Sequence, residues 1–201
     1  KSFMNFNQQL TNSLIIGTQS KTRRKLFADA GLIFQYQSPN INEEQILLGN
    51  KIISSQQALR LAKEKAIHLN YINKKSIIVC FDTTVHINNK TIFKSNTKKE
   101  CLDTLDLLNG KKHILYTACV IMKNKKTLWS TVEKANITFK KNTKKKLKNY
   151  VNLHFNKIVN SVGCYNIESH GRQIIEKIDG SYYAILGVPL VPLYRALKVI
   201  K

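Results

Sequence analysis

The chain has 201 residues, enough for one full domain or for two lobes sharing a sheet, and 43% of them are apolar, which excludes wholesale disorder. With 33 Lys and Arg against 12 Asp and Glu the formal net charge is +21, which by itself points to a polyanionic partner. The basic residues are scattered, however, in pairs such as Lys74-Lys75, Lys98-Lys99 and Lys125-Lys126. The densest run, Lys140 to Lys148, has no aromatic residues between its lysines on which bases could stack, so it reads as a solvated face, and nucleic acid is not the expected partner.

The first dozen residues lack the apolar core of a secretion signal and no apolar run is long enough to span a bilayer. The expected setting is therefore cytoplasmic, with residues 1–12 a loosely ordered extension and Met4 a candidate native start. Ser13 to Thr18 predicts a buried strand, and from Ser20 a helix turns Leu26, Phe27 and Ala30 inward before stopping at Gly31. A short strand over Ile33 to Tyr36 leads into Ser38 to Glu44, whose start has turn composition. From Ser54-Ser55 a long helix places Ala58, Leu61, Ala62, Ala66 and Leu69 on one face.

Ser76 to Phe81 is a continuous apolar run, the pattern of a strand buried on both faces, and it predicts a strand ending at Asp82. Thr83 to Phe93 predicts a hairpin turning at Asn88-Asn89, and Thr97 to Leu108 a helix closed by Asn109-Gly110. Strands over His113 to Met122 and Thr127 to Phe139 pair across Lys123 to Lys126. A helix near Thr143 to Leu153, two segments at Gly163 to Glu168 and Gln173 to Ile178, a turn at Asp179-Gly180 and a helix from about Val188 complete the chain. Parallel-type and hairpin-type connections together imply an α/β fold with a mixed sheet. Cys80, Cys101, Cys119 and Cys164 form no C-x-x-C pair and read as reduced, buried thiols.

The informative positions are charges placed where the pattern calls for apolar residues. Asp82 follows a strand buried on both faces, which suits either a turn cap or a carboxylate at a ligand crevice. Lys65 lies on the apolar face of the long helix, so its stem crosses apolar surroundings and its ammonium either snorkels to solvent or meets an anion. Ser20 and Arg23 occupy the first turn of the opening helix, where unpaired amides favour an anion, so Arg23-Arg24 beside Ser20 suggests a phosphate cradle, although a solvated basic helix start is the more frequent case. Lys94, at a strand end, carries no signal alone.

Taken in order, these stretches resemble the Maf family of nucleotide pyrophosphatases, from about Leu14 to the C-terminus. "LIIGTQSKTRRKLF" is similar to the family's strand and S-x-x-R loop, placing Ser20 and Arg23; "NINEE" to its acidic segment, placing Glu43; and "LAKEKA" to the helix that carries Lys65. "FDTTV" resembles the D-T motif at Asp82, "IFKS" the lysine motif at Lys94, and "LLNGKKHILYTACV" the block around His113 and Thr117, while "GCYNIESHG" and "IDGSYYAILGVPL" resemble the closing segments. Three departures stand out: Ser95 where the family usually has Pro, Asn42 where it usually has a second acidic residue, and Gly17-Thr18 in place of Ala-Ser.

The resemblance implies a single domain over 1–201, an elongated mixed sheet flanked by helices in two lobes with a central cleft, and hydrolysis of a nucleoside triphosphate between its α and β phosphates. It further implies a Mg²⁺ or Mn²⁺ ion held by Asp82 and Glu43, catalytic roles for Asp82, Glu43, Lys65 and Lys94, nucleotide binding by Ser20, Arg23 and Glu168, and a homodimer. Hard dications take carboxylate oxygen, and cationic side chains neutralise a triphosphate, so these residue types agree with that chemistry. "NIESHG" is closer to the branch acting on 7-methyl-GTP, and the acceptor-only Glu168 suits the paired N–H groups of a guanine edge. The alternatives are a dTTP/UTP pyrophosphatase of the same family and a catalytically silent, nucleotide-binding regulator of cell division.

Overall fold

The computed structural model describes residues 13–48 and 53–200, so the expectation for residues 1–12 lies outside the described residues. β1 (Leu14–Gly17) is fully buried between two parallel neighbours, β2 (Gln35–Gln37) and β3 (Ile77–Ile87). α1 (Lys21–Asp29) begins at Ser20, whose hydroxyl accepts from the Arg23 amide at 3.3 Å. β2 starts two residues later than Ile33, which is 87% exposed: Leu32 and Phe34 are buried against Phe27, and the two-residue alternation turns Ile33 outward.

The stretch expected to start as a turn holds a short helix, α2 (Glu43–Leu48), begun by the Asn42 side chain, which accepts from the Gln45 amide at 3.0 Å. α3 (Ser54–Ile72) buries Ala58, Leu61, Ala62, Ala66 and Leu69, and Lys65 with them.

The strand expected to end at Asp82 does not end there. β3 continues to Ile87 because its antiparallel neighbour β5 (Lys112–Lys123) pairs with it from Ile78 to His86 and carries the ladder through Asp82, which lies opposite Ala118. The apolar run stops in sequence only because the α3 face of the strand turns polar at Asp82, Thr84 and His86, while Val85 and Ile87 on the other face remain core residues. β4 (Lys90–Ile92) returns along β3 after the Asn88-Asn89 turn, where both residues have positive φ as a two-residue hairpin requires.

α4 (Lys98–Leu108) follows a Thr97 cap, and β6 (Lys126–Phe139) pairs with β5 along its whole length. α5 (Lys144–Ile158) outlasts its expected end at Leu153 because Phe155 and Ile158 extend the inward stripe. Of the two segments after it, only the second is a strand, β7 (Ile175–Asp179); Gly163 to Glu168 is a loop leading to a 3₁₀ turn at His170–Gln173. A one-turn helix not expected from the sequence, α6 (Tyr182–Ile185), precedes α7 (Leu190–Val199).

The seven strands form one mixed sheet in the order β2-β1-β3-β5-β6-β7, with β4 on β3. It runs through two lobes. One packs α1 and α7 on one face and α3 on the other; the second closes α4 and α5 over Val85, Leu115, Ile137 and Phe139. All four cysteines are buried free thiols, the Lys140–Lys148 run is solvent-exposed apart from Asn142 and Leu147, and among the described residues no helix is long and apolar enough to cross a membrane.

Candidate active site

The topology opens a notch on one edge of β3. β1 pairs with that edge only as far as Cys80 and β4 takes it up again at Val85, so Phe81 to Thr84 carry no strand there, while β5 holds the opposite edge throughout. Asp82 sits in this interval, just past the carboxyl end of β1, with its side chain on the α3 face. Ligands enter open α/β sheets at such places because neighbouring strands end and free backbone and side-chain groups face the gap.

Asp82 is 4% exposed and continues the row formed by Ile78 and Cys80, so its charge must be matched locally. Lys65, on the facing surface of α3, matches it: its ammonium donates to Asp82 Oδ2 and also pairs with Glu43 Oε1 at 2.7 Å. Lys94, half-exposed at the far side, pairs with Glu43 Oε2 at 3.1 Å. The four residues thus form one chain of alternating charge, from the buried Asp82 through Lys65 and Glu43 to Lys94.

The two carboxylates differ electrostatically. Burial disfavours a charged Glu43, but Lys65 and then Lys94 outweigh it and hold that carboxyl down to about 2. Burial and the neighbouring Glu43 outweigh Lys65 at Asp82 and push its carboxyl up. Burial likewise works against the Lys65 ammonium, yet Asp82 and Glu43 together raise its pKa. Glu43 is the fixed anion and Asp82 the more basic carboxylate. The second oxygen of Asp82 has no hydrogen bond among the described residues.

The opposite face of β3 is arranged differently. Arg23 reaches back from α1 and donates to the Gly187 carbonyl at 2.8 Å, the Phe81 carbonyl at 3.4 Å and Thr83 Oγ1 at 3.3 Å. Thr83 meets Thr117 on β5 at 3.0 Å, and Thr117 donates to the Ala184 carbonyl at 2.7 Å, which fastens α6 to the sheet. Gly187 has φ +92°, and a Cβ there would meet Arg23 Nε at 2.7 Å, so the glycine is what lets the guanidinium lie flat against this turn. The sequence expectation joined Ser20 and Arg23 in a phosphate cradle; here the Ser20 hydroxyl caps α1 and the guanidinium is engaged by the protein, while both residues still line the cleft.

That cleft, about 670 Å³, runs from Thr18, Ser20 and Arg23 past Glu43, Lys65 and Lys94 to Asn160 and Ser161 at the end of α5. A narrower recess of about 170 Å³ continues from it to Asp82, Thr83, Tyr165 and Glu168. Glu168 is exposed and accepts from Thr22 at 2.9 Å, between the two lobes. The structure therefore brings Ser20, Arg23, Glu43, Lys65, Asp82, Lys94 and Glu168 around one opening. His113 is not there: it is buried in the second lobe, bonded to Tyr165 at 2.7 Å and kept neutral by burial, which lowers its pKa to about 4. Sequence reasoning missed Thr83, Asn160 and Ser161, none of which breaks a local pattern.

The departures from the family pattern are accommodated by named contacts. Asn42 starts α2 and so places Glu43 in its first turn. Ser95 is buried between Thr104, at 3.3 Å, and Cys164, at 3.1 Å. A Cβ at Gly17 would collide with Cys80 Sγ and Leu69, so with Cys80 in that space the strand must end in glycine.

Two carboxylates converging on one cation, bounded by basic side chains and a helix start, are the residue types that a polyphosphate and its counter-ions call for. The family model described as Maf-like protein matches residues 13–200, and the chain belongs to that family. It is similar to a nucleoside triphosphate pyrophosphatase of Pelagibacter ubique, 28% identical over 96% of this chain and 100% of that one. It is similar also to a 7-methyl-GTP pyrophosphatase of Rhizobium meliloti (30%, 92% and 94%) and a dTTP/UTP pyrophosphatase of Bacillus pumilus (29%, 93% and 96%).

Proposed function

We propose that this chain is a nucleoside triphosphate pyrophosphatase that cleaves the anhydride between the α and β phosphates, releasing a nucleoside monophosphate and pyrophosphate. The observation that carries the reading is the buried Asp82–Lys65–Glu43 chain at the open edge of β3, in a member of a family whose relatives bear that name.

In this reading Lys65 and Lys94 neutralise the triphosphate oxygens, and Lys65 carries most of the effect because it is the more buried charge. Arg23 and Ser20 fix the start of α1 where amide groups face the cleft. Asp82 takes the proton of the attacking water: of the two carboxylates it is the more basic, and its free oxygen is the one available.

Glu43 and Asp82 also suit a hard divalent cation, Mg²⁺ or Mn²⁺, because their oxygens already converge on a single positive group, the Lys65 ammonium, and oxygen donors are what these ions take. When bound, such an ion supplies charge neutralisation and a more acidic water. Among the described residues no third His, Cys, Asp or Glu joins the pair, so a bound ion would take its remaining ligands from phosphate oxygens and waters.

For the base, Glu168 at the recess supports a guanine edge, and the cationic 7-methylguanine in particular, since a carboxylate offers acceptors and negative charge. Pyrophosphate release across a panel of canonical and modified triphosphates tests both levels. Turnover of 7-methyl-GTP above dTTP and UTP supports the full reading; the reverse order overturns the base assignment, and no turnover of any triphosphate overturns the enzymatic one.

A further inference from the structure

Beyond the Glu168–Thr22 contact, on the side away from Lys65, lies a second concavity of about 500 Å³, within the size range of small-molecule sites, about 300–1,000 Å³. It is mainly apolar, lined by Leu26 of α1 and Ala30 just after it, Tyr182 and Tyr183 of α6, Leu186, and Leu190 at the start of α7. Both tyrosines are 42% exposed, their rings lie 6.3 Å apart at 69°, and neither hydroxyl has a hydrogen bond among the described residues. Their role in the core is small: in α6 the buried residue is Ala184, and it is Ala184 and Thr117 that anchor the helix to the sheet. Two adjacent aromatic rings that neither pack inward nor bond their hydroxyls are surface available for a planar ligand.

The groove is continuous with the cleft already described. Thr22 and Glu168 line both it and the recess that reaches Asp82, and Lys21 and Thr22 line both it and the phosphate-facing cleft. A ligand whose charged end lies at Lys65 and Lys94 therefore meets, past Glu168, a surface of the opposite character, apolar and aromatic. A nucleotide has this division, with a polyanion at one end and a flat base at the other. Lys25 and Asp29 at the outer rim pair with each other at 2.9 Å, so among the described residues the unpaired charges on the groove are Lys21 and Glu168, the residues it shares with the cleft and the recess.

We infer that this groove is the base-binding subsite of the same nucleotide site, with Tyr182 and Tyr183 as the stacking residues and a purine as the preferred occupant, because a larger ring system covers more of the two rings. The inference rests on the nucleotide reading above but not on turnover. Electron-rich tyrosine faces further favour a base bearing positive charge.

Calorimetric titration of the full chain with GMP and, separately, with inorganic pyrophosphate, both with Mg²⁺ present, tests it. Tyr182→Leu and Tyr183→Leu should each weaken GMP by about tenfold, the size expected for one lost base–aromatic stack, with the pyrophosphate Kd unchanged. Tyr182→Phe and Tyr183→Phe, which keep the ring, should bind GMP as the wild type does. Unchanged GMP binding in the double leucine variant overturns the inference, as does equal weakening of GMP and pyrophosphate, which would mark general damage to the site. A wild type that binds GMP through these tyrosines yet releases no pyrophosphate from any triphosphate would leave the subsite standing and sink the pyrophosphatase reading instead.

Discussion

The two faces of β3 at the notch are built from similar residue types and do opposite things. On the α3 face Asp82 is held by charge, in a chain of Lys65, Glu43 and Lys94 whose side chains bond to one another and, among the described residues, to no backbone group. On the other face Arg23 is held by neutral acceptors, two carbonyls and a hydroxyl, and the threonines behind it bond to each other and to backbone. A charge satisfied only by other side-chain charges can be redistributed when an anionic ligand arrives; one bound to carbonyls is a strut. Positive charge in this cleft is thus of two kinds, one paired with carboxylates and one with neutral acceptors.

That contrast is broken most directly at Asp82. Asp82→Asn should lower kcat for pyrophosphate release by about a thousandfold, in the range of a lost general base, while the circular dichroism spectrum is kept. Near-normal kcat in a folded variant would remove Asp82 from the chemistry.

Lys65→Met should lower kcat and raise KM, and it should also destabilise the fold by about 3 kcal/mol, because it strands a buried carboxylate. The sequence alone predicts no stability cost, since the apolar stem is kept; the three-way ion pair changes that expectation. The stranded Asp82 carboxyl, already raised, rises further and its ionised form burdens the fold most at neutral pH. The Tm deficit relative to wild type should therefore shrink from pH 8 to pH 5, and a deficit independent of pH would argue for a packing role.

Arg23→Lys should act in the reverse sense, on the strut. A lysine cannot fork to three acceptors, so Tm should fall by the equivalent of about 2 kcal/mol, while kcat falls far less than in Asp82→Asn. A large kcat loss at unchanged Tm would move Arg23 into the reacting site.

An effect on stability confined to one pH range is expected at Glu43. Its carboxyl is depressed from 4.5 to about 2, so its contribution to stability is present above about 4.5 and is lost as the pH falls toward 2. Glu43→Gln should remove that part of the acid transition and leave stability at pH 2 close to wild type, measured by urea unfolding at each pH.

Much of the architecture was legible because it depends on local pattern. Period-two and helical spacing fixed β1, α3, α4, β5 and β6 within a few residues, the Asn88-Asn89 turn was readable from its residues, and Lys65 and Asp82 stood out as charges in apolar company. The structure departs from the local pattern where partners decide: β3 runs past Asp82 because β5 sustains a ladder that the polar residues on one face hide, and β2 begins after Ile33 because its parallel register with β1 is not written in either strand alone.

By itself, then, the sequence determined that a lysine on the buried face of a long helix and an aspartate after a buried strand needed an explanation. Only the tertiary structure decided that they explain each other, that Glu43 joins them and sets Asp82 apart as the more basic carboxylate, and that Arg23 bonds to Gly187, Phe81 and Thr83. The reason is physical. Spacing fixes which face of an element a side chain occupies, but the charge state and task of a buried group depend on what the other elements bring within a few ångströms of it.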